Sequence, residues 1–184
     1  SKDMIFFPDS VNGTAETFAI REQKGGKTEY PAVKGDTVYV HWVPKKDIMQ
    51  VYSQVKPLDM YGGQATMKGR LDYTSKALTG NGKLDFSGAT MSADLMKFQN
   101  KKVLSDTASF SLKALEGYQF AFSTKNVNAV VDFEKRIGDF ASNGKVTPTE
   151  FPINQYICYM DNFKWYMDKG DIELTSRDVG KPQD

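Results

Sequence analysis

The sequence predicts an all-β chain of antiparallel strands, stacked as a sandwich from repeated two-strand units. Three observations carry that expectation. Apolar and polar residues alternate with a period of two through segment after segment. Gly, Pro and Asn punctuate the chain between those segments, and one strand–turn–strand pattern recurs. The chain has 184 residues, 40% hydrophobic and 12% aromatic, so a real core can form without disulfides or metals.

The first 30 residues carry little periodicity and contain a loop signal at Gly25-Gly26. Asn12-Gly13-Thr14 has the spacing of a glycosylation acceptor but reads first as a turn. Residues 37–43, Thr-Val-Tyr-Val-His-Trp-Val, are β-branched and aromatic and predict a strand. Pro44-Lys45-Lys46-Asp47 predicts the turn, and residues 48–53 the return strand of a hairpin. Tyr61-Gly62-Gly63 then separates an N-terminal hairpin region, residues 1–64, from a repeated strand array over 65–175. The polar residues 176–184 read as a frayed tail, and all of this is compatible with one domain.

Within the array, Ala65, Met67, Gly69, Leu71 and Tyr73 share one face, with Thr66, Lys68, Arg70 and Asp72 on the other. Leu84 and Phe86 continue the pattern, followed by Ala89, Met91, Ala93 and Leu95. Ala108, Phe110 and Leu112 come next, then Tyr118, Phe120 and Phe122, then Val127, Ala129, Val131 and Phe133. Gly80-Asn81-Gly82-Lys83 reads as a hairpin turn rather than a phosphate loop. Val130, Phe133, Ile137 and Phe140 also fit one helix face, but Gly138 and Asn143-Gly144 favour two strands joined at Glu134-Lys135.

Ala65-Thr66-Met67 recurs as Ala89-Thr90-Met91. The five residues from Gly69 to Tyr73 are answered by the six from Ala93 to Phe98. Tyr73-Thr-Ser-Lys76-Ala-Leu78 is echoed by Phe98-Gln-Asn-Lys101-Lys-Val103. Phe133-Glu-Lys-Arg136-Ile137 shortens the pattern, and Tyr166-Met-Asp-Lys169-Gly-Asp-Ile172 lengthens it. Each unit is a strand ending at an aromatic, a basic turn, and a strand leaving at an aliphatic. Such a unit cannot bury its own face and must stack on its neighbours. On the repeated strands Met67, Leu71, Phe86, Met91, Leu95 and Phe110 should reach one shared apolar interior. Small residues beside these large ones fit jigsaw packing between sheets, and equally a groove with room for an apolar ligand.

The runs Tyr73 to Phe86 and Ser87 to Phe98 resemble the OstA-like repeat of lipopolysaccharide-transport proteins. The matching features are an aromatic, a basic turn, Gly-x-Gly, an apolar residue and Ala-x-x-x-Ala-Asp. The resemblance covers residues 65–112 and, loosely, 126–174. It implies a stacked β-jellyroll whose two sheets face each other across a lipid-carrying groove. Residues 151–166 also look like a feature of large exported proteins of Bacteroides-type bacteria. The resemblance therefore implies a cell-envelope, periplasmic or extracellular location, with flanking domains of the same chain as partners. Ser1-Lys2-Asp3-Met4 is neither a signal peptide nor a natural start, and reads as the beginning of a piece of a longer chain.

Composition narrows the chemistry further. With 24 Lys and Arg against 23 Asp and Glu, the chain lacks the basic excess of a nucleic-acid binder. His41 is the sole histidine and Cys158 the sole cysteine. His41 therefore reads as structural and Cys158 as a core residue. Asp168, Asp171 and Glu173 could offer oxygens to calcium, yet form no complete calcium loop. The expectation is a chain without catalytic residues, metal or cofactor: a structural or apolar-ligand-carrying module of a larger envelope protein. The alternative is a carbohydrate-binding sandwich of a surface protein, with Trp42, Trp165 and Tyr166, beside Tyr159 and Phe163, as a stacking platform.

Overall fold

A computed structural model describes residues 2–26, 28–114, 119–144 and 147–175. These form one antiparallel sheet of fifteen strands with three short 3-10 turns. The strands are β1 Lys2–Phe6, β2 Val11–Ile20, β3 Val33–Val43, β4 Ile48–Ser53, β5 Leu58–Met60, β6 Ala65–Tyr73, β7 Leu78–Phe86 and β8 Ala89–Phe98. There follow β9 Lys102–Lys113, β10 Phe120–Asp132, β11 Ile137–Ser142, β12 Thr147–Phe151, β13 Tyr156–Met160, β14 Asn162–Tyr166 and β15 Asp171–Thr175. The main path runs β1-β2-β3-β4-β6-β7-β8-β9-β10-β11-β14-β15. β5 continues the place of β4 between β3 and β6, and β12 pairs with β10 and β13 beyond the end of β11. Pairing is continuous from β4 and β5 into β6, so one sheet crosses the boundary expected at residue 64.

Alternation and turns account for most of this. Ile48–Ser53 is the return strand of the predicted hairpin. Pro44 sits in the first turn position and Asp47 closes it in the left-handed region. The same device recurs at Pro152–Asn154, closed by Gln155. Residues 130–140 form two strands around a turn, with Asp132 opposite Ile137. Three expectations fail. Asn12-Gly13-Thr14 lies inside β2, and the apparently aperiodic N-terminus forms β1 and the ten-residue strand β2. Gly80-Asn81-Gly82-Lys83 lies inside β7 instead of turning the chain. Gly69 and Gly82 face each other across β6 and β7 with φ of 142° and 140°. A Cβ on Gly69 would run into the Asn81 carbonyl, and one on Gly82 into that of Lys68. These glycines bend adjoining strands; they do not form a hairpin.

That bend belongs to a crease crossing the whole sheet. It runs through Thr37 of β3 at φ 54°, the break between β4 and β5, and the Gly69–Gly82 pair. Register slips continue it: Asp94 and Leu95 stand against Asn81, Asp106 and Thr107 against Asn128, and Lys125 and Asn126 against Ser109. It ends at the break after β11 and at Asp161 between β13 and β14. Each bulge bends its strand and disrupts the ladder locally. Polar side chains then take up the released backbone groups. Ser53 Oγ accepts from Gly69 N at 3.0 Å, Ser105 Oγ donates to Leu95 O at 2.9 Å, and Asn143 Nδ2 donates to Asp106 O at 2.6 Å.

Folded at the crease, the two halves of the sheet enclose one core. Phe110 lies 4.4 Å from Phe140 and 5.4 Å from Trp165 between ring centroids, though one and two strands, respectively, lie between them in the sheet. The four repeated turns, after Tyr73, Phe98, Asp132 and Tyr166, all fall along one rim. Neighbouring turns are bonded to one another: Phe133 N donates to Lys101 O at 2.9 Å and Met167 N to Arg136 O at 3.0 Å.

Asp132 organises one of these turns. Its Oδ1 accepts from the backbone N–H of Glu134 at 3.0 Å and of Lys135 at 2.9 Å, and Lys102 approaches Oδ2 at 3.3 Å. Burial pushes this carboxyl up, but the turn N–H groups and the Lys102 ammonium outweigh it and hold the pKa below the usual value. A depressed folded-state pKa contributes stability above the unfolded value, about 4, and loses it as pH falls through the folded one. Asp132→Asn is therefore expected to cost about 1–2 kcal/mol at pH 7, with the gap to wild type narrowing below about pH 4. Urea melts of both proteins at pH 7 and pH 3 check this; a gap that is unchanged or wider in acid would contradict it.

Candidate functional site

The chemistry-bearing residues stay dispersed. His41 lies on the outer face of β3 and meets Asn12 through Nδ1. Cys158 is half-buried on β13, and burial pushes its thiol up, as for an inert structural cysteine. Asp168 accepts from Arg136 Nε at 2.9 Å, whereas Glu173 accepts from Tyr166 OH at 2.9 Å. Among the described residues no three His, Cys, Asp or Glu side chains are placed to hold a metal ion.

The aromatic platform is likewise taken apart by the fold. Trp165 is fully buried, Trp42 is 41% exposed, and Tyr166 points to the other face of its strand. Eight strand pairings separate Trp42 from Trp165. Because Trp165 has no exposed surface, no sugar can stack on both. Tyr159 is exposed on β13, while Phe163 is buried in the core.

The interior holds five of the six residues expected to share it. Met67 pairs through Leu84 with Met91, and Met91 with Phe110, so they lie at one depth on four successive strands. Leu71 and Phe86 are buried on neighbouring rows. Leu95 is the exception, 48% exposed. The bulge at Asp94-Leu95 reverses the facing of β8, so Met96, fully buried, takes the place next to Gly80 and Leu71.

Above that layer one apolar row runs the length of the inner face. Register links Phe6, Val11, Trp42, Met49, Tyr73 and Leu78 in succession. It continues through Phe98, Val103, Val131, Gly138, Trp165 and Ile172. The residues from Leu78 to Trp165 are buried, but the β1 end opens: Tyr73, Met49 and Val11 are half-buried and Phe6 is 76% exposed. A cleft of about 430 Å³ lies at this end, lined by Phe18, Ile20, Met49, Tyr73, Tyr30 and the chain from Ala19 to Gln23. The Tyr30 and Tyr73 hydroxyls meet at 2.9 Å, their rings packed edge to face. Burial, then the bond to Tyr73, pushes the Tyr30 phenol up to about 12. Sequence reading missed this cleft because Tyr30 and Tyr73 lie 43 positions apart and neither stands in a motif.

Along the long side of the fold the two rims are fastened together. Tyr61 stacks on Phe133 at 4.1 Å and donates to Lys102 O at 2.7 Å. Burial raises its phenol well above the usual value, so it remains a donor. Arg136 donates to Gln64 at 3.0 Å, Ser87 at 3.2 Å and Asp168 at 2.9 Å. Tyr61, Ser87 and Arg136 all hold positive φ, of 54°, 46° and 59°, a cost L-residues bear only where surrounding contacts impose it. Because Arg136 is partly exposed, Arg136→Ala is expected to cost about 1 kcal/mol or less, yet to speed uptake of a neutral dye into the interior. Stopped-flow fluorescence with N-phenyl-1-naphthylamine measures this; an unchanged rate would mean the rims do not limit access.

Comparison of the chain with protein-family models, with curated proteins and with solved structures returns no match in any of the three.

Proposed function

We propose that this chain is a non-enzymatic module of a larger cell-envelope protein, shielding or carrying an apolar ligand inside its folded sheet. One observation carries the reading: a continuous inner apolar row whose burial fades toward β1, leaving Met49 and Tyr73 on the wall of a cleft and Trp42, paired with Met49, partly exposed. A protein that needed only a packed core would gain by covering those residues, since each large apolar side chain left in water forgoes about 1.5–3 kcal/mol. An interior of Met, Leu and Phe walls closed in the middle and open at one end suits an alkyl or aryl ligand. The envelope location and the flanking domains rest on the OstA-like resemblance of residues 65–112. That resemblance fits a two-halved stacked sheet with its repeated turns along one rim.

Titration with N-phenyl-1-naphthylamine tests the reading. Saturable dye emission is expected, with energy transfer from Trp42, and Met49→Arg should abolish it in a protein that still unfolds cooperatively. A wild-type protein giving no saturable emission would overturn the proposal.

A further inference from the structure

The cleft at the β1 end carries polar groups that a purely apolar ligand would leave unused. Tyr30 and Tyr73 have two hydroxyl protons between them, and their mutual hydrogen bond takes one. The other O–H is left to donate. Nearby, Glu22 is engaged twice, by Lys24 Nζ at 2.9 Å and by Asn100 Nδ2 at 2.8 Å. Arg21, which also lines the cleft, has no ion pair among the described residues. The cleft therefore presents one unmatched positive charge and one free hydroxyl donor over apolar walls. The hydroxyl pair is held in place, because Gln23 and Tyr30 bond each other's backbones at 3.0 and 3.2 Å and close the loop that follows Arg21. Such preorganisation lowers the cost of binding.

We propose that this cleft binds an anionic single-chain amphiphile, a fatty-acid carboxylate. Its oxygens would meet Arg21 and the Tyr30–Tyr73 hydroxyl pair, and its chain would lie over Phe18, Met49 and Tyr73. The inference rests on the apolar-ligand reading above and adds the ligand's class. A planar guanidinium matches a carboxylate through two parallel N–H donors. Tyr30 stays a neutral donor across the physiological range, since its phenol is held at about 12. The cleft, about 430 Å³, lies within the span of small-ligand pockets.

The test compares cis-parinaric acid with its methyl ester on the whole chain, by fluorescence titration at low salt. The acid is expected to bind about tenfold more tightly than the ester, a difference of about 1.4 kcal/mol. Arg21→Gln should bring the acid down to the level of the ester and leave the ester unchanged. The double variant Tyr30→Phe/Tyr73→Phe, which removes both hydroxyls, should weaken both several-fold, because an ester carbonyl also accepts from the hydroxyl. Equal binding of acid and ester by wild type would overturn the proposal, as would an acid affinity untouched by Arg21→Gln. If N-phenyl-1-naphthylamine still binds in either case, the carboxylate site fails alone. If neither the dye nor the parinaric probes bind, the carrier reading fails with it.

Discussion

Phe110→Ala is expected to cost about 3–5 kcal/mol, the range for removing a buried aromatic side chain. Phe110 is fully buried and stands where the two halves of the sheet meet. Its ring lies 4.4 Å from Phe140, 5.4 Å from Trp165, 5.9 Å from Phe163 and 6.1 Å from Phe122. Trp165 in turn reaches Phe86 on β7 at 5.8 Å, so Phe110 helps tie four strands that do not all pair with β9. Deleting it removes transfer free energy and leaves a void, because rings fixed by two bent half-sheets cannot all move inward. Phe120, at the start of β10 and 40% exposed, is the control, and Phe120→Ala should fall within about 0.5 kcal/mol of wild type. Urea melts of the three proteins decide the matter. A Phe110→Ala loss below about 1 kcal/mol would mean the interior is loosely filled there, with a groove reaching the centre of the fold.

The parts of this fold legible in the sequence are those written in side chains. Period-two alternation identified the strands of the array, and Pro44 to Asp47 located a hairpin turn to the residue. The four aromatic-and-base turns placed a common rim on β6, β8, β10 and β14. The illegible parts are backbone events. Gly80-Asn81-Gly82 has the composition of a turn, and only the facing Gly69 shows that it serves a bend. In β2, Gly13 and Ala15 stand where larger apolar residues would have made alternation visible. The cleft depends on Tyr30, Arg21 and Tyr73 meeting across the folded sheet, a long-range consequence that no local window contains. The rim fastening depends likewise on Tyr61, Arg136 and Ser87, which lie far apart in the chain.

Leu95 and Met96 give the sharpest test of the crease, because strict alternation and the bulge assign them opposite fates. Continued alternation from Ala89 and Met91 would bury Leu95 and expose Met96. The bulge exposes Leu95 to 48% and buries Met96 completely. The sequence carries a trace of this, since the five residues from Gly69 to Tyr73 are matched by six from Ala93 to Phe98. The added residue is the bulge, after which Met96 lies in line with Leu71, and Phe98 with Tyr73. Met96→Ala is therefore expected to cost about 2–5 kcal/mol, and Leu95→Ala less than about 0.5 kcal/mol. Chemical denaturation of the two variants provides the measurement. A large loss at Leu95 with little at Met96 would mean that β8 runs unbent. The crease would then not cross β8, and the two half-sheets could not enclose the interior on which the proposed function depends.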